Sequence, residues 1–465
     1  MLKTVLKREL LHNLYSLRFM ISLVLLIGVF IVGALSFVKG YALRLEKYHE
    51  TQAQFLEAMK RDAADNATKL AVLQRTYTLR PRDSTFIDDA KERYLPNAIT
   101  FSAWNVFSFQ NKSGSANPFL SKFDELTWSF IVALIVSFIV LLFTFDAVSG
   151  EKELKTLALS FSNSVSRGTL LLGKSLSAVL SAMAIVITGV LISLLIILLL
   201  GGGNMTAALA GEVAGFLIIT ALLVATFAAF GLLSSVATPN SNISLLLALS
   251  FWLAFVVIIP NSSTFIARNL FPIQSSESIQ KRVDAALSDL DKNAPPGSWM
   301  ENDSMPFLPQ HKLRANLQMK YLDAEKAIRD NNYQAMFGQF ARTRLATAVS
   351  PVSLLEDMTE AVVGGGYVRF RTVWSDMHVY QSQFLNFFKT VDAVDKDSPH
   401  WYNPNEDVST TRKPVAFEQV PVFEEKLPSF ADRFSLSFRY LIINAILIAF
   451  IFSLTYLLFV RYDVR

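Results

Sequence analysis

The chain has no cysteine among its 465 residues, which excludes thiolate metal sites and disulfide staples, so any part outside the cytoplasm is held by packing alone. Histidine is scarce. The five copies, His12, His49, His311, His378 and His400, are scattered and form no H-E-x-x-H frame, and no G-x-S-x-G occurs. Charge is thin as well. Only 18% of residues are charged against 52% hydrophobic and 12% aromatic, too apolar a balance for an ordinary soluble protein of this length. The net charge of +4 matters less than where the positive residues lie.

What the sequence does have is long apolar runs. A bilayer core about 30 Å thick needs roughly 20 apolar residues in a helix, and six runs approach or exceed that: Phe19–Val38, Leu126–Phe145, Leu176–Leu200, Val213–Val236, Ile243–Pro260 and Tyr440–Val460. Lys3, Lys7, Arg8 and Arg18 precede the first, which lacks a small-x-small cleavage site and reads as a retained anchor. Lys152, Lys155, Arg167 and Lys174 lie between runs two and three, and Arg461 and Arg465 close the chain. The positive-inside bias then places both termini and this loop in the cytoplasm of a multi-pass inner-membrane protein, with the two long hydrophilic segments outside.

The expected fold class is an α-helical polytopic membrane protein with six transmembrane helices and a discontinuous, mainly helical extracytoplasmic domain, in which some α+β structure is possible. The expected divisions are a cytoplasmic start and first span at 1–38, external segment one at 39–125, and spans two to five at 126–260 with a cytoplasmic loop at 146–175. External segment two follows at 261–439, and the sixth span and tail at 440–465. YALRLEKYHETQAQFLEAMKRD extends span one as a helical stalk; ITFSAWNVFSF alternates as a strand would; and SIQKRVDAALSDLDKN, LRANLQMKYLDAEKAIRDNNYQAMFGQFARTRL and VYQSQFLNFFKTVDAV read as helices.

The stretch Gly168–Ser175, GTLLLGKS, fits the phosphate-loop pattern letter for letter. Its surroundings do not fit. A working phosphate loop needs a buried strand before it and backbone N–H groups free to curl around phosphate. Here three leucines fill the wrap positions and a membrane run follows, so Lys174 reads as a basic anchor. The runs also lack the carboxylates, lysines or histidines that ion-driven carriers hold at membrane depth; Asp146 and Glu212 sit at run ends, and Asn444 is merely polar. Energy for transport must then come from a separate subunit.

The loop FDAVSGEKELKTLALSFSNSVSRGTLLLGK resembles the signature of type-2 ABC transporter permeases, E-x-E-x-G-T-L followed by S-x-P-V-S-R and L-L-G-K. Glu151, Glu153, Thr156, Leu157, Ser162, Val165, Ser166, Arg167, Leu172, Gly173 and Lys174 keep the pattern; Lys155 replaces its glycine and Ser164 its proline. KRELLHNL near the start and FVRYDVR at the end resemble the subgroup with large external insertions after spans one and five. The resemblance implies a membrane subunit that carries no cofactor and no catalytic or metal site. Its implied partners are a cytoplasmic ABC ATPase holding ATP and Mg, and a second permease subunit, identical or related. Nucleic acid is not among the partners expected. Leu154, Leu157, Ala158 and Phe161 recur at helical spacing, so the expected coupling helix turns them toward the ATPase and Glu151, Lys152, Lys155 and Thr156 away. Glu151, Glu153, Leu154, Leu157, Ala158, Phe161 and Arg167 are the expected ATPase-coupling residues. Two other readings remain: a mechanical transducer acting on an envelope partner, and a membrane-anchored external hydrolase.

Overall fold

The computed structural model describes the chain except residues 93–94, 111–125, 158–160, 162–164, 202–204, 297, 299–306, 405, 407–408 and 463–465. Six helices are long and apolar enough to cross a membrane: Leu17–Asp65, Trp128–Glu153, Arg167–Leu200, Ala207–Ala237, Ser241–Asn261 and Phe430–Arg461. Each contains most or all of one of the six apolar runs. The chain is thus an α-helical polytopic membrane protein. Polar side chains fix where several helices begin: Ser16, Ser166, Thr206 and Asn240 each accept the backbone N–H three residues on, satisfying a donor the helix cannot use.

The fourth span is the centre of the bundle. Phe216, Ile219, Leu223, Val224 and Phe227 on it are fully buried, in one core with Leu26 and Phe30 of the first span, Val136 and Val140 of the second and Ile185 and Val186 of the third. Close approach is set by glycine: a Cβ on Gly231 would lie 1.8 Å from Thr144 Oγ1, so spans two and four meet backbone to side chain. Asn444 is buried in the sixth span and accepts from Thr226 Oγ1 at 2.8 Å, joining spans four and six by a polar contact within apolar surroundings.

The first span does not stop at the membrane. Its helix runs unbroken for 49 residues to Asp65 and carries Phe55 and Met59 into a second core with Leu70, Tyr77, Ile99 and Phe101. Val373, Met377, Phe384 and Phe423 complete that core from the other hydrophilic segment. Three antiparallel strands, β1 (Arg75–Thr78), β2 (Ala98–Phe101) and β3 (Ser108–Gln110), pair in that order, with Thr76 opposite Thr100 and Ile99 opposite Phe109. Helices Ser276–Lys292, Phe307–Thr347 and Gly366–Val394 account for the three helical stretches of the second segment.

One further helix is not among the helical stretches named above. Pro351–Val363 carries Asp357 and Glu360 yet is buried along nearly its whole length, with Leu354, Leu355, Met358 and Val362 in the core of the spans. Ser350 and Pro351 open it and Gly364, at φ +66°, closes it in the left-handed conformation that favours glycine. Its last carbonyls are taken by two arginines: Val363 accepts from Arg82 Nη1 at 2.6 Å and Val362 from Arg433 Nη1 at 2.7 Å. Arg433 also pairs with Glu212 of the fourth span at 2.9 Å, so the end of this helix is tied to spans four and six.

Candidate functional site

The phosphate-loop lookalike is resolved by local backbone. Gly168–Ser175 lies in the first turns of the third span, a continuous helix from Arg167, so its N–H groups are turned along the helix axis and form no cradle. A Cβ on Gly173 would lie 2.6 Å from Val5 Cγ1, because the amino-terminal helix Leu2–Leu14 packs directly against this turn. Lys174 is buried and its ammonium is shared by Glu9 at 3.2 Å and Glu151 at 2.8 Å. It is a structural cation joining three elements.

Glu151 belongs to the short helix Ser149–Glu153 that ends the second span, and this helix grips its neighbours on several sides. The N–H groups of Val148 and Ser149 donate to Ser235 Oγ at 2.8 and 2.9 Å. Lys152 Nζ donates to the carbonyls of Val236 and Thr238 at 2.6 and 3.0 Å, closing the end of the fourth span where its own ladder leaves acceptors unused. Glu153 accepts from the N–H and hydroxyl of Ser241 at 2.9 Å each, a carboxylate at the start of the fifth span, where the helix dipole favours it. Arg167 Nη1 donates to the carbonyls of Val460 and Tyr462, both at 2.8 Å, and to that of Phe459, at the end of the sixth span. The guanidinium lies over the rings of Phe161 and Phe459. Arg18 pairs with Asp146 at 2.7 Å and brings in the first span. The inner loop thereby touches the neighbouring ends of every span.

The apolar face expected for a continuous coupling helix is not what forms, and the reason is local. The helix stops at Glu153, Leu154 and Lys155 turn, and Lys155 adopts φ +56°, the left-handed region in which a side chain is strained and glycine is not. The glycine of the resembled pattern falls at this position, so the lysine substitution leaves the turn in place. The turn reverses the expected orientations. Leu157 is 3% exposed, packed among Val148, Leu170, Leu171, Val236 and Phe459, and Phe161 lies partly buried beside it. Leu154 is 76% exposed, and Glu153, Lys155 and Thr156 are exposed with it. Ala158 lies outside the described residues. Glu151, Glu153, Leu157, Phe161 and Arg167 are therefore internal fasteners, Glu153 at the rim, and among the described members of the expected apolar set Leu154 projects outward.

Glu9, Ser235 and Ser241 belong to the arrangement and were not singled out from the sequence, and Lys152 was read as an inside charge turned away from the partner rather than as a fastener. The pairing of Lys174 with Glu9 spans 165 residues, and no periodicity signals it. Lys152 had a faint signal, a lysine just past a membrane run, which often folds back onto the last free carbonyls. Among the described residues no group of three or more His, Cys, Asp and Glu side chains is placed to hold a metal ion.

Comparison with known families and proteins fits this geometry. No curated protein matches the chain. A family model described as ABC-2 family transporter protein matches residues 3–373, which include the first five spans, the inner loop and most of both hydrophilic segments. The chain belongs to the ABC-2 transporter family and is a multi-pass membrane component of that class, not itself catalytic.

Proposed function

We propose that this protein is the permease subunit of an ATP-driven complex in the inner membrane, with both termini cytoplasmic, and that a separate ATPase subunit docks on the turn Glu153–Thr156. The observation that carries the reading is the way that turn is anchored. Leu154 projects from a segment whose immediate neighbours Lys152 and Glu153 hold the fourth and fifth spans, while Glu151 holds the third through Lys174. A partner that pushes on Leu154 moves several span ends together. ATP and Mg belong to the partner, because Gly168–Ser175, wound into a continuous helix, offers phosphate no backbone cradle. A second permease subunit and lipid share the outer faces of the spans, where Leu246, Ile446 and Phe450 are about two-thirds exposed. The cargo is one that such a pair moves outward, its identity set elsewhere than at the coupling turn.

A specific observation favours the transducer reading as the second. A helix of 49 residues is about 73 Å long and links the bundle to the second core without a hinge residue such as proline. Tilting its inner end by about 5° would swing the other end by about 6 Å, enough to work on an envelope partner with no solute passing.

The test uses the absence of native cysteine. Arg61→Cys and Glu277→Cys, both on exposed side chains, should react in sealed cells with a membrane-impermeant thiol reagent, and Lys155→Cys should react only after permeabilisation. Purification from cells expressing the chain with its genomic neighbours should retain an ATPase. Labelling of the Lys155 site in sealed cells, or purification free of any ATPase under conditions that keep the chain folded, overturns the proposal.

A further inference from the structure

At the end of the spans opposite the coupling turn lies a cavity of about 620 Å³, within the range of small-molecule sites. Its walls come from the start of the second span, the end of the fifth, the end of helix Phe307–Thr347, the buried helix Pro351–Val363 and the loop at 88–91. Leu126, Phe130, Ala133 and Phe340 supply an apolar side, and Ala133 lies in a π-helical turn, Val132–Val136, that widens the second span there. The polar side is unbalanced. Five carboxylates line the cavity against two cations, Lys91 and Arg344.

The partners of these groups leave one acceptor over. Arg344 Nε donates to Asp357 Oδ1 at 2.9 Å, its Nη2 donates to Glu360, and Glu360 Oε1 also accepts from the N–H of Tyr367 at 2.9 Å. Lys91 pairs with Glu356 at 3.0 Å, and Asp89 accepts from the N–H of Lys91. Asp88 is held by Thr359 Oγ1 and by the N–H of Ala90, with no ion pair among the described residues. Asp357 Oδ2 has no partner, although the residue is 6% exposed and lines the cavity. An orphaned carboxylate oxygen in a dry site is costly unless a donor meets it.

We propose that the cavity is a binding site for an organic cation, whose protonated amine or iminium N–H donates to Asp357 Oδ2 and whose apolar body lies against Phe130 and Phe340. An anion would face the carboxylate excess. A neutral apolar molecule would leave Asp357 Oδ2 unmet, and a bare metal ion would find a single unused carboxylate oxygen rather than several convergent ones. Burial pushes both Asp88 and Asp357 up to about 7, which is the response of carboxyl groups short of positive charge. The same amine chemistry is carried by soluble cations and by the ethanolamine headgroup of a lipid. The site is remote from the coupling turn, so binding to the isolated chain can be measured apart from ATPase docking.

The test compares two fluorescent xanthenes of similar size and opposite charge, rhodamine 6G as the cation and fluorescein as the anion, binding to the full chain in nanodiscs by anisotropy. Rhodamine 6G should bind saturably and fluorescein should not. Asp357→Asn, which keeps the shape and an oxygen for Arg344, should weaken rhodamine binding about tenfold or more. Ser263→Trp, which fills the cavity without touching a charge, should do the same and decides the matter if the Asp357 variant melts early. Repeating the titration with phosphatidylethanolamine in the disc separates the sources: displacement of the dye assigns the site to a lipid amine, and unchanged binding to a soluble cation, the site standing in either case. The proposal is overturned if rhodamine shows no saturation up to about 100 μM, if fluorescein binds equally well, or if both variants bind as the parent does.

Discussion

Leu154 and Leu157 are three residues apart in the same loop, and the structure assigns them opposite fates on substitution. Leu157 is closed inside a cluster drawn from the ends of spans three, four and six. Removing its side chain by Leu157→Ala opens a cavity there and should cost the isolated chain about 2–5 kcal/mol. Leu154 is exposed on its turn, so Leu154→Ala should shift the isolated chain by no more than about 0.5 kcal/mol. Docking inverts the order. Burying a leucine side chain against a partner contributes about 1.5–3 kcal/mol, so Leu154→Ala should weaken ATPase binding by about ten- to a hundredfold. Leu154→Glu should abolish it, since a carboxylate carried into an apolar groove loses several kcal/mol of hydration. The assay pairs thermal unfolding of the purified chain with retention of the ATPase on the same tagged variants. An isolated Leu154→Glu chain that unfolds as early as Leu157→Ala, or one that retains the ATPase at the parent level, refutes the assignment of the turn as the contact.

Three further outcomes follow from geometry. Lys155→Gly replaces a side chain at φ +56° by the residue that adopts that backbone without strain, so the melting point should hold or rise, by at most about 1 kcal/mol of stability, where a helix-interior glycine would lower it. Lys174→Ala leaves Glu9 and Glu151 facing one another without their shared cation; the chain should melt earlier while nucleotide binding, followed with a fluorescent ATP analogue, stays at background in parent and variant alike. Asp88 has a folded-state value of about 7 against an ordinary 3.8, so the proton stabilises the folded form. That stability is complete below the ordinary value and is lost as pH rises through about 7. Melting points should therefore fall between about pH 4 and about pH 7, and Asp88→Asn should flatten part of the fall, the rest belonging to Asp357 beside Glu356, Glu360 and Arg344.

The six spans were legible because their signal is local: length and hydropathy are set within each run. The stalk was legible for a similar reason, since the helix-forming stretch Tyr41–Asp62 contains neither proline nor glycine. The inner loop was half legible. Spacing at 154, 157, 158 and 161 presumes an unbroken helix, and a lysine gives no warning that its φ is positive. The departure from glycine at Lys155 was the available clue, pointing to backbone shape at the position where the helix turns. The burial of helix Pro351–Val363 was not legible, because its acidic residues argue for a surface; Arg344 just before it, and Lys91, Arg82 and Arg433 from distant parts of the chain, make that burial tolerable. Gly364 is that helix's left-handed cap.

The unbroken first helix also fixes a rotational phase between its two halves. Each residue turns an α-helix by about 100°, so a single residue inserted between Phe37, which faces the bundle, and Phe55, which faces the second core, would swing one face about a quarter-turn off its partner. Seven inserted residues would restore the alignment to within about 20° while lengthening the rod by about 10 Å. The length of the segment can therefore change only by near-whole numbers of helical turns, such as about seven or about eleven residues.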